Sequence, residues 1–334
     1  MADPHQVAVI PGDGVGPEVV EAAVGVLEAS PIPLEVARYD AGDSCRSRHG
    51  VALPEATLAG ARAADAVLFG AAGQTGAEVI LRLRRELETY VNLRPIRALS
   101  GIDGLYSNVE FVIVRENSEG LYAGLESEVA PGVTTATRVT TERASNRIAR
   151  FAFRYASENG HGKVTAVHKA NVLQATDGLF LRCARDVAED YSDIAYDEAI
   201  VDAAALHLVT QPERFDVIVT TNLFGDILSD LSAGLIGGLG LCPSANLGER
   251  HALFEPVHGT APDIAGKEIA NPTAAILCGA MLARHLGYRQ TGEHIEQALE
   301  NTLMRGVMTP DLGGSRSTPE MTEDVVAHLE EDST

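Results

Sequence analysis

Short apolar runs recur along this chain, each closed by a loop and followed by a helical pattern, and no other feature limits the fold as much. Val7-Ala8-Val9-Ile10 leads into Pro11-Gly12-Asp13-Gly14-Val15-Gly16 and a helix opening at Pro17. Ala66-Val67-Leu68-Phe69 passes through Gly70-Ala71-Ala72-Gly73 into a helix over about 76–88. Runs at 111–114, 164–167 and 217–219 repeat the pattern. Unbroken apolar runs of this length read as strands buried on both faces, and strands alternating with helices read as α/β. The segment from about 129 to 141 differs. Its β-branched residues surround Pro131-Gly132, which predicts a hairpin arm with few core residues of its own, of the kind that pairs with a partner subunit. Helical patterns near 272–286, 293–304 and 319–329 complete the chain, and no internal repeat or long linker interrupts it.

Charge and cysteine spacing exclude several function classes. Over 334 residues, 47 acids face 26 bases, a net charge of −21 that repels nucleic-acid backbones and anionic membranes. Four cysteines stand far apart with no C-x-x-C, so neither a disulfide framework nor a zinc knuckle is expected. The polar N-terminus lacks a signal-peptide core, and the longest apolar run, 274–283, is about half a bilayer span. A cytoplasmic protein follows. Only Lys163, Lys169 and Lys267 among the bases are lysines. High acid with low lysine points to a salt-adapted, halophilic chain, against a GC-rich genome as the plainer cause.

Several motifs carry chemistry. The order Gly12-Asp13-Gly14-Val15-Gly16 is G-x-G-x-G, not the G-x-G-x-x-G of a dinucleotide fingerprint, and its internal acid would face a pyrophosphate. A tight turn feeding a helix explains it better. Arg84, Arg94 and Arg115 offer planar forks that grip carboxylates in pairs, and Arg115 ends a strand, where α/β sites form. Asp226 and Asp230 lie four apart on the first turns of a helix, so both face one way. That pair suits Mg²⁺ or Mn²⁺, or else it simply favours the helix N-terminal dipole; Asp202 is a third acid in apolar surroundings. The 19 residues 254–272 form a long aperiodic loop whose small residues let backbone N–H groups approach a ligand. Lys169, just past a strand, and Tyr122, close to Arg115, can pass protons.

In this order the pieces resemble the β-decarboxylating dehydrogenase family, which includes the 3-isopropylmalate, isocitrate, homoisocitrate and tartrate enzymes. The resemblance runs from Val7 to about Leu329. It rests on Pro11-Gly12-Asp13-Gly14-Val15-Gly16-Pro17-Glu18, Asn92-Leu93-Arg94-Pro95, Arg115-Glu116-Asn117 and Lys169-Ala170-Asn171. The most specific motifs are 222–230, Asn222 through Asp230, and 258–263, His258 through Asp263. It implies an α/β, doubly wound sheet of the isopropylmalate/isocitrate dehydrogenase kind, in two domains and not a Rossmann fold. A large domain would join 1–89 and 237–334, and a smaller one, 90–236, would carry the dimerisation arm.

The resemblance also assigns roles. Arg84, Arg94 and Arg115 would clamp the carboxylates of a small 2-hydroxy di- or tricarboxylic acid. Asp226 and Asp230, with Asp202 of the second subunit of a homodimer or higher homo-oligomer, would hold Mg²⁺ or Mn²⁺. Tyr122, with Lys169 of the second subunit, would transfer protons. His258, Gly259, Thr260, Ala261, Pro262, Asp263, Ile264 and Asn271 would bind NAD, Asp263 at the ribose. The helix before Arg84 selects the substrate. At about 100° per residue, Ile80 and Leu81 flank the direction of Arg84 while Arg82 points away. An apolar pair suits an isopropyl group, hence 3-isopropylmalate and leucine biosynthesis. Isocitrate enzymes typically place Asn and Ser where this chain has Ile80 and Glu78, so isocitrate, homoisocitrate, tartrate and methylmalate are alternatives. A regulatory subunit of the family is disfavoured, since the acids, arginines and lysine are all present.

Overall fold

The computed structural model describes residues 3–331, which fall into two compact units. Among the described residues the first comprises 3–89, 98–107 and 236–331, and the second comprises 90–97 and 108–235. A division at 89/90 and 236/237 leaves 98–107 in the central domain, but this segment packs in the first unit. Gly101 lies against the backbone of Leu303, where a Cβ would come within 2.8 Å of the carbonyl oxygen, and Ser100 donates to Glu300 at 3.0 Å.

In the first unit the strands lie in the order Leu34–Arg38, His5–Gly12, Ala66–Ala71, Ala252–Pro256, Pro243–Leu247. All neighbours are parallel except the last pair. Ala8, Ile10, Val67, Phe69 and Leu253 share one cluster with Leu58, Ala61, Val79, Leu83 and Leu87. The alternating residues Val7, Val9, Ala66, Leu68 and Phe254 point to the opposite face and are equally buried. The helices Gly16–Glu28 and Thr273–His285 pack there. Both faces are thus covered, as a parallel sheet requires, and the α/β, doubly wound expectation holds. In the second unit the order is Val91–Arg97, Glu110–Glu116, Val217–Thr220, Lys163–His168, Ala195–Ile200, with only the first pair antiparallel. The helix Glu142–Asn159 covers this group of strands beside Thr176–Ala188.

The hairpin runs Glu126–Ala130 and Val133–Ala136, starting about three residues and ending about five residues before its β-branched stretch predicts. Pairing centres on Pro131-Gly132, so the first strand must recruit polar Glu126, Ser127 and Glu128. Every residue of both strands is exposed. All four cysteines are buried and none is in a disulfide. Among the described residues no helix is long and apolar enough to cross a membrane.

The acid inside the glycine turn has a structural task. Asp13, 7% exposed, accepts backbone N–H bonds from Asp43 (2.7 Å), Ser44 (3.0 Å) and Gly73 (3.0 Å). Asp43 accepts in turn from the amides of Gln74 and Thr75 and the Thr75 hydroxyl, at 2.7–2.8 Å. Two acids so bind three loops into one rim. The Thr75 hydroxyl, then the Thr75 amide, hold the Asp43 carboxyl below its ordinary value. A depressed folded-state value gives stability that is complete above the unfolded carboxylate pKa, about 3.9, and is lost as pH falls through the lower folded value. Asp43→Asn is therefore expected to lower the urea midpoint at pH 7, with the gap to wild type closing under acid. A gap that stays constant with pH would show that the Asp43 charge plays no part.

Candidate active site

Strand register gathers the second unit's polar centre. Antiparallel pairing sets Asn92 opposite Arg115 and Arg94 opposite Ile113. Residues two apart on a strand share a face, as do cross-strand partners, so Asn92, Arg94 and Arg115 project from one side. Arg115 is also in register with Thr220, just where the chain enters the helix Asn222–Ile236. The first turns of that helix therefore meet both guanidiniums.

Arg115 is 1% exposed. Its Nε and Nη2 donate to Asn222 Oδ1 at 3.0 and 2.7 Å, and its Nη1 donates to Asp226 Oδ1. Arg94 donates from Nε to Asn92 Oδ1 at 2.8 Å. Its Nη1 donates to Ser229 Oγ at 2.5 Å and Asp230 Oδ1 at 3.1 Å, and its Nη2 lies 3.3 Å from Asp226 Oδ1. The Tyr122 phenol donates to Asp226 Oδ2, and its ring centre is 5.1 Å from Arg115 Cζ. Burial, followed by the hydrogen bond to Asp226, pushes the Tyr122 phenol above its ordinary pKa.

Two guanidiniums and two carboxylates thus neutralise one another, and a neutral phenol donates to one of those carboxylates. Asp226 and Asp230 offer hard oxygens of the type a divalent cation takes, and the guanidiniums offer forks of the type a carboxylate takes. An anionic ligand that draws the arginines away leaves the aspartates facing a cation. Among the described residues no three His, Cys, Asp or Glu side chains converge on a metal position. Asp202 is not brought to the pair within this chain. It is bound by Lys169 Nζ, and that bond holds the Asp202 carboxyl below its ordinary value. The Lys169 backbone is clamped on both sides. Its N–H donates to Asp177 Oδ2 at 2.6 Å, and its carbonyl accepts from Val172 and Leu173 at 3.0 and 2.8 Å.

In the first unit, Arg84 is buried and donates from Nη2 to Glu255 Oε1 at 2.6 Å, where Asn246 Nδ2 also donates at 2.7 Å. Arg84 Nε is buried without an acceptor. The segment before it, Ala77–Leu81, is a π-helical turn followed by the α-helix Arg82–Glu86. The wider turn means that 100° per residue does not hold across it. Ile80 and Leu81 are both half-buried, and Ile80 packs against the core cluster. Glu78 is held by Arg46 at the surface, and Arg82 donates to Glu55 at 3.3 Å.

The long loop is tied to the glycine turn. Val15 N–H donates to the Thr260 carbonyl at 2.9 Å, and a Cβ on Gly14 (φ +62°) would lie 2.0 Å from that oxygen. Gly266 N–H donates to Glu18 Oε1 at 2.5 Å. His258 Nδ1 donates to the Gly259 carbonyl at 2.9 Å; Nε2 is buried without a partner, and burial lowers the ring's pKa. Gly259, Ala261, Pro262 and Asp263 are exposed, and Ile264 is half-buried. Ala261 sits at φ +38°, unusual for a residue with a Cβ. Asn271 is committed at both ends of its amide, to Thr273 N–H (3.0 Å) and Asp311 (3.1 Å).

Sequence reasoning missed Asn92, Asn222, Ser229, Glu255 and Asp177. The first carried a signal, since Asn92 shares a strand face with Arg94. Glu255 and Asp177 had none: Glu255 is a lone acid 171 residues from Arg84, and Asp177 is a lone acid at a helix start, where a dipole partner is equally expected. Gly225 also matters. A Cβ there would lie 2.6–2.7 Å from Cγ and Cβ of Arg115, atoms too near the backbone to swing aside. Gly225→Ala is expected to cost about 1–3 kcal/mol through overpacking, read as a shift in urea midpoint. An unchanged midpoint would mean that the Arg115 stem is not fixed by this contact.

The sequence profile described as isocitrate/isopropylmalate dehydrogenase matches residues 6–325. A 3-isopropylmalate dehydrogenase of Archaeoglobus fulgidus is 55% identical over 97% of this chain and 99% of its own. A 3-isopropylmalate/3-methylmalate dehydrogenase of Methanocaldococcus jannaschii is 53% identical over 98% of this chain and 100% of its own. The crystal structure of isocitrate dehydrogenase from Methylococcus capsulatus superimposes with a TM-score of 0.94 at 46% identity, covering 97% of this chain and 99% of that one.

Proposed function

The chain belongs to the isocitrate/isopropylmalate dehydrogenase family, and from that premise we propose that it oxidises and decarboxylates 3-isopropylmalate with NAD, a step of leucine biosynthesis. The observation that carries the substrate is the chemistry of the residues before Arg84: Ile80 and Leu81 are apolar, the former where isocitrate enzymes typically place a polar residue, and the nearby acid Glu78 is held by Arg46. The two archaeal relatives support it, and the second of them makes methylmalate the nearest competitor.

In this reading Arg94 and Arg115 release Asp226 and Asp230 and take the malate carboxylates; Arg84, whose Nε lacks an acceptor, takes part by its place in the family motif. Bound NAD would accept the hydride, and a divalent cation on Asp226, Asp230 and a second subunit's Asp202 would polarise the substrate oxygen. Lys169, from the second subunit, takes the hydroxyl proton. The resulting 2-oxo acid carries a carboxylate β to its carbonyl and loses CO₂. Tyr122 then protonates the enol carbon. The arginines orient and form no covalent bond. His258 through Ile264, with Asn271 as their anchor, hold the adenosine end. Asp263 accepts the ribose hydroxyls and repels a 2′-phosphate, which favours NAD over NADP. We place the enzyme in the cytoplasm, and its −21 charge fits a salt-rich one.

Burying an isopropyl group is worth on the order of 2 kcal/mol. A γ-carboxylate on the same surface loses water without gaining a donor, which costs more. The specificity constant for 3-isopropylmalate should therefore exceed that for isocitrate more than about a hundredfold. The test is a panel of 3-isopropylmalate, methylmalate, tartrate, isocitrate and homoisocitrate with each cofactor, with Mg²⁺ or Mn²⁺ and with chelator. Faster turnover of isocitrate or homoisocitrate would sink the substrate assignment, preference for NADP the role of Asp263, and full activity in chelator the metal.

Two features support a shared site. The hairpin strands are exposed throughout, Val129 at 61% and Val133 at 50%, and Lys169 and Asp202 bond each other rather than the Asp226 group. Mixing inactive Lys169→Ala with inactive Arg115→Ala is expected to restore activity after subunit exchange, because a hybrid rebuilds one whole site. Demonstrated hybrids without recovery would place both residues in one chain's site.

A further inference from the structure

Arg138 follows the hairpin, two residues beyond Ala136, and its guanidinium turns inward. Nη2 lies 2.7 Å from Asp177 Oδ1 and donates to Thr221 Oγ1 at 2.9 Å, while Cζ sits 5.0 Å from the centre of the Phe224 ring. The Arg138 side chain is 15% exposed and that of Asp177 is 0%. The other Asp177 oxygen accepts the backbone N–H of Lys169 at 2.6 Å. One carboxylate therefore joins the base of the hairpin to the backbone of Lys169. Thr221 and Phe224 stand on either side of Asn222 and just before Asp226, so the same guanidinium also touches the start of the helix that carries the acids.

A fully buried carboxylate is an expensive acceptor for one amide. An asparagine oxygen could take the Lys169 N–H without a desolvated charge, but it would leave the Arg138 guanidinium without its anion and so release the backbone tie from that side. The charge is accounted for by Arg138, whose own contacts span the hairpin base, the lysine segment and the acid helix. We propose that Arg138 and Asp177 are positioning residues for Lys169. Together they fix the backbone from which its side-chain amine is presented, and they tie that backbone to the arm. The inference rests on the proton-transfer role given to Lys169 above. Neither residue touches the substrate; both act through the lysine. Because Lys169 is also clamped at its carbonyl by Val172 and Leu173, removing Asp177 or Arg138 loosens one side of the clamp and leaves the turn in place.

The test compares Asp177→Asn, Arg138→Gln, Arg138→Lys and Lys169→Ala in the full-length enzyme, with the hydroxy acid that wild type turns over fastest. Asp177→Asn and Arg138→Gln are expected to lower kcat about tenfold or more while KM changes less than about threefold, as for a displaced reacting group rather than a lost substrate contact. Arg138→Lys keeps the charge and should recover part of kcat. Amide exchange over residues 167–173 should quicken in both charge-removing variants and stay unchanged in the rest of the second unit. Should Asp177→Asn fail to fold, the two Arg138 variants, at a partly exposed position, carry the test alone. Wild-type kcat in Arg138→Gln, or a kcat loss accompanied by faster exchange throughout the unit, overturns the link provided Lys169→Ala is inactive. An active Lys169→Ala would instead remove the lysine's own role.

Discussion

Asp226 is the residue on which the second unit's polar centre depends. Its two oxygens take Arg94, Arg115 and Tyr122 together. A guanidinium as buried as that of Arg115 cannot be left without an anion, since an uncompensated buried charge costs several kcal/mol. The centre must therefore exchange partners rather than open. A ligand carboxylate can claim the arginines only as the aspartates find another cation, and a cation can claim the aspartates only as the arginines find another anion. In the proposed function, binding of the acid and of the metal would then be coupled, and the coupling would be reciprocal by linkage. The same network explains why the arginines sit on paired strands. A two-residue stagger on a pleated surface fixes their separation more firmly than a loop would.

Much of this was legible in the sequence because strands and motif spacing are local. Unbroken apolar runs gave the parallel sheets, and four-residue spacing put Asp226 and Asp230 on one helix face. What was not legible depends on long-range meeting. Glu255 reaches Arg84 from 171 residues away, and Asp226 reaches Arg115 from 111. Asp177 is only eight residues from Lys169, but nothing in a lone acid near a helix start distinguishes a clamp from a dipole partner. The turn Ala77–Leu81 was misread for a different reason. Apolar spacing cannot separate an α-turn from a π-turn, so the angular argument for Ile80 and Leu81 assumed a pitch that the backbone does not keep.

The first unit handles loops as the second handles charges. Asp13 and Asp43 each take several loop donors, so three connections at the same strand ends behave as one piece. Asp43 begins the short helix whose Arg46 binds Glu78, and Asp43 itself holds Thr75 at the approach to the π-turn. The apolar pair Ile80 and Leu81 is thus presented from a segment fixed at both its polar flank and its entry. Asp13 also shows why G-x-G-x-G is not a degraded dinucleotide fingerprint. Its acid is needed as an acceptor inside the rim, a task incompatible with a pyrophosphate in the same place.

The basic residues show where composition had to yield to chemistry. The chain uses arginine almost throughout, and its three lysines differ in what holds them. Lys163 Nζ donates to the Arg214 carbonyl, Lys267 is exposed in the long loop, and Lys169 is held by its backbone and by Asp202. Arginine serves wherever a fixed fork must grip a carboxylate, and Arg94 and Arg115 use that planarity fully. It cannot serve where a proton must leave and return, because a guanidinium with pKa above about 12 does not give one up in a protein. The ε-amine of a lysine has a neutral form that can accept a proton and return it. If Lys169 moves the proton as proposed, a drift from lysine to arginine, whether driven by salt or by genome composition, would have a chemical stopping point at position 169. Arg94 and Arg115 hold anions by their planar forks, and in the proposed function Lys169 would move the proton that neither of them can.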